Sequence, residues 1–298
     1  MRINRLRRKQ AGLGLAGLLA CAAAALTLAP AASASELLAR NASGVQLAVS
    51  KDGKALVTFR SHGKLTRVLA SGAMNAIAPA RARAQVRFKL DYSGGQGSIR
   101  SACRRYDGPK LQWLVAACRG PDGSYWALQS WQRMLPNYGL HPSPKQAAWE
   151  LRLSHWKGPL PVLEVKPNWT YGRFDQIYGR FTYLGKPVFG FRTTSRGVPL
   201  DSFGRNLYLD TFDSAYGRGW KRENSFLMHT GTGAFCYGFF PRGSRPVGQG
   251  ERYRATIIGP GVTPDIFWEG AAPGAYNRAG DLAANADIRK VGANPCHA

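Results

Sequence analysis

The sequence predicts an all-β fold, an antiparallel sandwich or two packed β subdomains, and three observations predict it. Apolar residues recur with a period of two in one short run after another, glycine and proline punctuate those runs, and helix-period pattern is confined to small pieces. The 298 residues include 35 Gly and 18 Pro, yet 11% are aromatic and eight are Trp, more apolar area than a disordered chain carries. The glycines have no triplet period, which excludes a collagen, and a single long apolar run excludes a polytopic membrane protein.

That apolar run opens the chain. Arg2, Arg5, Arg7, Arg8 and Lys9 precede the Ala/Leu/Gly stretch from Ala11 to Leu28, and Ala32-Ser33-Ala34 follows as a small-residue cleavage site. This is the pattern of an export signal removed after Ala34. Two other fates fit some of the same residues: retention as a membrane anchor, because about 20 apolar residues can span a bilayer, and lipidation at Cys21 within Leu18-Leu19-Ala20-Cys21. Pro30 and the small residues after it favour cleavage. The expected product is secreted, extracellular or cell-wall associated, with no stable membrane span. The expected segments are a signal at 1–34, a basic N-terminal β subdomain at 35–158 and a C-terminal β subdomain at 159–298. The internal boundary sits at Lys157-Gly158-Pro159-Leu160-Pro161, where two prolines and a glycine interrupt any ladder.

Cleavage removes Cys21 and leaves Cys103, Cys118, Cys236 and Cys296. An even number in an exported chain implies two disulfides. Pairing Cys103 with Cys118 and Cys236 with Cys296 keeps each bond within its own half, and each would stabilise the fold by about 3 to 4 kcal/mol.

The first strands are Val45, Leu47 and Val49, then Ala55, Val57 and Phe59, on either side of Lys51-Asp52-Gly53. A two-residue turn scatters their apolar face, whereas a three-residue loop with Gly53 in the left-handed region opposes Val49 to Ala55, Leu47 to Val57 and Val45 to Phe59. Val86, Phe88, Leu90 and Tyr92 alternate with Arg87, Lys89 and Asp91, giving a strand with one wet, basic face. Gly120-Pro121-Asp122-Gly123 joins 113–117 to 124–132 as a hairpin. Further strands are expected at 180–183 and 188–191 across Leu184-Gly185-Lys186-Pro187, then at 206–212, 225–229, 234–240 and 253–258. Helix is expected only at 144–151 and 281–291.

Charge is the compositional fact that bears most on function. Forty-one Lys+Arg stand against 17 Asp+Glu, and loss of the first 34 residues removes five bases and no acid, leaving +19. From Ser35 to Gly158 there are 19 bases and 6 acids, and from Pro159 onwards 17 and 11, so an anionic partner should meet the first half. Candidate ligand-binding residues there are Arg81, Arg83, Arg87, Lys89, Arg104 and Arg105, with Trp126 and Trp131. Single-stranded nucleic acid suits such a mixture, but an exported protein rarely meets it. An anionic polymer or polysaccharide of the cell envelope uses the same equipment, with rings on sugar faces and cations on carboxylate or phosphate. The plain alternative is that the Trp residues pack a core and the arginines confer solubility.

A second class is a secreted carbohydrate-active hydrolase. Asp201, Asp210, Asp213 and Glu223 place four acids within 23 residues, and Asp210 with Glu223 would supply the paired carboxylates of glycoside hydrolysis, with His229 close by. The same acids have Arg205, Arg218, Lys221 and Arg222 as ready ion-pair partners. His229 and Cys236 form a thiol and imidazole candidate, on a segment that loosely resembles the active-site region of L,D-transpeptidases without their Ser-His-Gly-Cys core. The even cysteine count makes Cys236 an oxidised residue instead. A third class is a structural or interaction module without catalysis. There is no Gly-x-Ser-x-Gly elbow, no P-loop and no dinucleotide fingerprint, and the five histidines are dispersed, so neither a cofactor nor a metal is expected.

Overall fold

The computed structural model describes residues 35–77, 86–95, 97–133, 148–188, 207–214, 217–226, 233–241 and 250–290. The signal segment, Arg81, Arg83, Asp201, His229 and Cys296 lie outside these. The first half forms β1 (Glu36–Arg40), β2 (Ser43–Val49), β3 (Ala55–Ser61), β4 (Lys64–Ser71), β5 (Lys89–Asp91), β6 (Arg104–Arg105), β7 (Leu114–Arg119), β8 (Tyr125–Arg133) and β9 (Ala148–Trp156). The second forms β10 (Val162–Thr170), β11 (Phe174–Tyr183), β12 (Lys186–Pro187), β13 (Leu207–Ser214), β14 (Gly217–Phe226), β15 (Ala234–Pro241), β16 (Arg252–Ile257) and β17 (Ile266–Ala271), then α1 (Arg278–Lys290). The fold is all-β, as the sequence predicts, with one helix among the described residues.

The strands make four antiparallel sheets. β1-β9-β8-β7-β6 and β2-β3-β4-β5 belong to the first half; β10-β11-β12, with β15 on β11, and β14-β13-β16-β17 belong to the second. Among the described residues no strand pair crosses the Lys157–Pro161 seam. The two first-half sheets close on one core, in which Val57, Phe59 and Val68 meet Trp126, Leu128, Leu151 and Leu153. The two second-half sheets close on another, in which Ile177, Phe181 and Phe235 meet Leu207, Leu209, Tyr253 and Ile257. A third cluster, Trp131, Tyr208 and Ile258 with Trp113, lies between them and joins residues of both halves.

The predicted first hairpin has the predicted register, Leu47 opposite Val57 and Val49 opposite Ala55, with Gly53 at φ 75°. A bulge between Ser43 and Gln46 takes Val45 out of the ladder. The Gly120–Gly123 turn closes β7 on β8 as expected, with the Gly123 amide donating to the Gly120 carbonyl at 3.1 Å. Cys103 and Cys118 form a disulfide with Cα atoms 5.5 Å apart, and it holds the short β6 segment against β7. Cys236 is also oxidised; its expected partner, Cys296, lies outside the described residues. The turn between β11 and β12 is shorter than expected, two residues, Leu184 and Gly185, both at positive φ. That is the conformation that matches strand twist. Gly179 is required for another reason: a Cβ there would lie 1.9 Å from the Glu164 carbonyl oxygen of the neighbouring strand.

One element differs in type. The helix expected at 144–151 is corrected by β9, which takes Ala148 to Leu151 into a nine-residue antiparallel pairing with β8; positions 144–147 lie outside the described residues. Ala, Glu, Leu and Arg are good helix formers. Pairing along the whole length of β8, with residues from Glu150 to Trp156 buried on both faces, overrides that preference. The helix expected at 281–291 is present as α1, starting at Arg278; Asn277 Oδ1 accepts from the Ala279 and Gly280 amides. Among the described residues no helix is long and apolar enough to cross a membrane.

Candidate functional site

The outward face of the β14-β13-β16-β17 sheet is built from cross-strand rows. Register places Arg222, Asp210, Arg254 and Glu269 side by side on the four strands, and the next row is Trp220, Phe212 and Arg252. Neighbours in a row stand close enough to pair directly. Asp210 Oδ1 accepts from Arg222 Nε at 2.5 Å, and its Oδ2 accepts from Arg254 Nε at 2.9 Å. The Asp210 and Arg222 side chains are each only 1% exposed. Arg252 pairs with Glu269. The guanidinium planes also lie over rings: Arg222 is 4.4 Å from the Tyr208 centroid and Arg254 is 4.3 Å from that of Trp220. Burial pulls the Arg254 pKa below its ordinary value, an effect that the Asp210 carboxylate partly offsets. It stays charged, because an arginine has a wide margin above neutral pH.

Against this face the first half sets the end of β8, the start of β9 and Trp113, the residue before β7. Trp113, Trp131, Gln132 and Trp149 join Asp210, Trp220, Arg222, Arg254 and Thr256 around a cleft of about 210 Å³. Trp131 forms part of its buried wall and Trp149, 48% exposed, its rim. A space of this size is below the range of about 300–1,000 Å³ usual for drug-sized ligands and suits one small ring with a polar substituent. Two features point to the charge of that substituent. Three arginines meet two carboxylates on this face, an excess of one positive charge. Arg222 Nη1, fully buried, finds no hydrogen-bond partner among the described residues. A buried guanidinium N–H without an acceptor is costly, and this one belongs to a residue that lines the cleft.

The sequence-predicted residues are distributed as follows. Asp210 lines the cleft, but as the partner of two arginines. Glu223 does not join it: Glu223 accepts from the Thr211 hydroxyl, and Thr211 is the next residue along β13, so it faces the other side of the sheet. Burial holds the Glu223 carboxyl above its usual range, with the Thr211 hydroxyl opposing and the Asp210 charge adding. Asp213 accepts from the Gly219 amide at 2.6 Å and so links the end of β13 to the start of β14. The structure therefore separates the acids whose pairing glycoside hydrolysis requires; Asp201 and His229 lie outside the described residues. Trp126, 1% exposed, is a core residue stacked on His155 at 3.7 Å and offers no face to a ligand. Arg87, Lys89, Arg104 and Arg105 are exposed on or beside β5 and β6, strands of different sheets, and none lines the cleft.

Sequence reasoning missed Trp113, Trp149, Trp220 and Arg254 as site residues. The signal that could have found them is the dense mixture of Trp and Arg itself; their convergence depends on register and on how the two halves meet. A larger hollow of about 550 Å³, on the other first-half sheet, has Arg67 as its one charged residue and no aromatic ring, so it lacks comparable recognition chemistry. Comparison with known proteins gives no match: no family model fits the chain, and no curated protein or solved structure is similar to it.

Proposed function

We propose that the protein is exported and binds an anionic polysaccharide of the cell envelope or extracellular space, with one acidic sugar unit seated in the tryptophan and arginine cleft. The observation behind this reading is the unpartnered Nη1 of Arg222 in a ring-walled cleft with one surplus positive charge. A carboxylate or phosphodiester on the sugar supplies both the acceptor and the compensating charge, and arginine binds either in fork geometry. The Trp149 and Trp220 rings provide apolar faces for the C–H side of a sugar ring. The net +19 of the processed chain draws a polyanion to the surface before any sugar enters.

Trp149 is the residue to change, because its exposure means that its loss leaves the core untouched. The protein should sediment with insoluble polygalacturonate at low salt and be released as salt rises, since exposed charge pairing is screened. Trp149→Ala should weaken binding about tenfold, the equivalent of one stacking contact, with an unchanged melting temperature. Sedimentation insensitive to both salt and Trp149→Ala would refute the reading.

A further inference from the structure

The recognition surface continues beyond the row of side chains that holds Arg222. Trp220 lines the cleft and belongs by register to the next row, with Phe212 and Arg252. Arg252 stands two residues along β16 from Arg254, about 6.5 Å away by the rise of a strand. That step is comparable with the advance from one ring to the next along a polysaccharide. The second row has contact chemistry of its own: Phe212 and Trp220 meet edge to face with centroids 5.3 Å apart, and the Arg252 guanidinium lies 5.3 Å from the first ring and 5.5 Å from the second.

The two rows differ in charge. In the cleft, Asp210 serves both Arg222 and Arg254, which leaves one positive charge over, and Arg222 Nη1 finds no partner among the described residues. Glu269 stands directly across from Arg254 in the register, yet its carboxylate reaches diagonally to Arg252. The Arg252 charge is thereby met. This pair is open to solvent, with the Arg252 side chain 48% exposed and that of Glu269 25%. A second acidic group arriving here would have to compete with Glu269 for one guanidinium, and two carboxylates so close repel. A hydroxyl meets no such conflict: it donates to the Glu269 carboxylate and accepts from the remaining N–H groups of Arg252.

We infer that the Phe212, Trp220 and Arg252 row is a second subsite that takes an uncharged sugar, so that the polymer recognised carries acidic and neutral sugars side by side and is not a uniform polyacid. Glu269 sets this preference. It supplies a hydrogen-bond acceptor for the neutral ring and an unfavourable charge against an acidic one, and specificity built on both attraction and repulsion exceeds what either gives alone. The aromatic pair of the second row adds an apolar face for the C–H side of the same ring. This inference rests on the seating of an acidic sugar in the cleft and identifies the unit beside it.

The test titrates the full chain calorimetrically with two trisaccharides of the same linkage, glucose-glucuronate-glucose and triglucuronate, which differ only in whether the outer rings carry a hydroxymethyl or a carboxylate group. At about 0.15 M salt the net charge of the protein acts over only about 8 Å, so the comparison reads the subsite. Wild type should bind the mixed trisaccharide at least about fivefold more tightly. Glu269→Gln leaves Arg252 without its carboxylate and should reverse the order, making triglucuronate the tighter ligand. An ion pair this exposed contributes little to stability, so the variant should melt as wild type does. Equal affinities, tighter binding of triglucuronate by wild type, or an order that survives Glu269→Gln would overturn this inference and leave acid recognition in the cleft standing. Binding of neither trisaccharide would overturn both.

Discussion

Asp210→Ala is expected to lower the unfolding free energy by about 3–5 kcal/mol, because it leaves Arg222 as a buried charge without a partner and takes one ligand from Arg254. The arithmetic is asymmetric. A carboxylate between two guanidiniums gains from both, while Arg222, at 1% exposure, keeps its full desolvation cost when stripped of it and Arg254, at 14%, keeps most of its own. Arg222→Met combined with Asp210→Leu should restore much of the loss, since apolar side chains of similar volume often replace a buried pair at little net cost. Urea unfolding measured on the single and double variants separates the two effects. A single variant as stable as wild type would mean that water reaches Arg222, and the cleft would lose its distinguishing feature.

Trp131→Ala is expected to cost about 3–5 kcal/mol, the range for deleting a large buried aromatic side chain. Trp131 stands where the two halves meet: it stacks on Trp113 at 5.9 Å between centroids, sets its edge towards Tyr208 at 5.5 Å, and lies 5.7 Å from the Arg152 guanidinium. Its indole N–H also occupies Asp265 Oδ2, so the variant removes a donor from a fully buried carboxylate. Thermal unfolding should broaden or split as the halves uncouple. A single sharp transition within a few degrees of wild type would show that the contact between the halves does not depend on this ring.

The β-class and several hairpins were legible in the sequence because they rest on local chemistry. Gly53 and Gly123 both adopt the positive φ that their turns demand, and Leu47 opposite Val57 follows from matching two apolar faces. Strand β9 was not legible: its opening residues are helix formers, and only pairing with β8, across an intervening segment, makes them a strand. For the site, the expectation that Asp210 pairs with a neighbouring arginine was sound as far as Arg222, twelve residues on. Arg254 lies 44 residues away and reaches Asp210 through the β13–β16 register, which no local pattern encodes. Trp126 was as plausible a ligand contact as Trp149 from composition alone. Alternation decides between them: on β8, Trp126 shares the inward face with Leu128, whereas Trp149 sits at the exposed start of β9. Arg87, Lys89, Arg104 and Arg105 are four of the 19 bases of the first half but are spread over two sheets, and net charge carries no information about convergence.

The central claim is that the cleft recognises the anionic group of a sugar. Calorimetric titration with an oligogalacturonate and with its methyl ester, which keeps the ring and removes the charge, tests it most directly. The account predicts saturable, salt-sensitive binding of the acid, weakened by Trp149→Ala, and at least about tenfold weaker binding of the ester, the minimum for one unpaired guanidinium hydrogen bond. Equal affinity for acid and ester would contradict it.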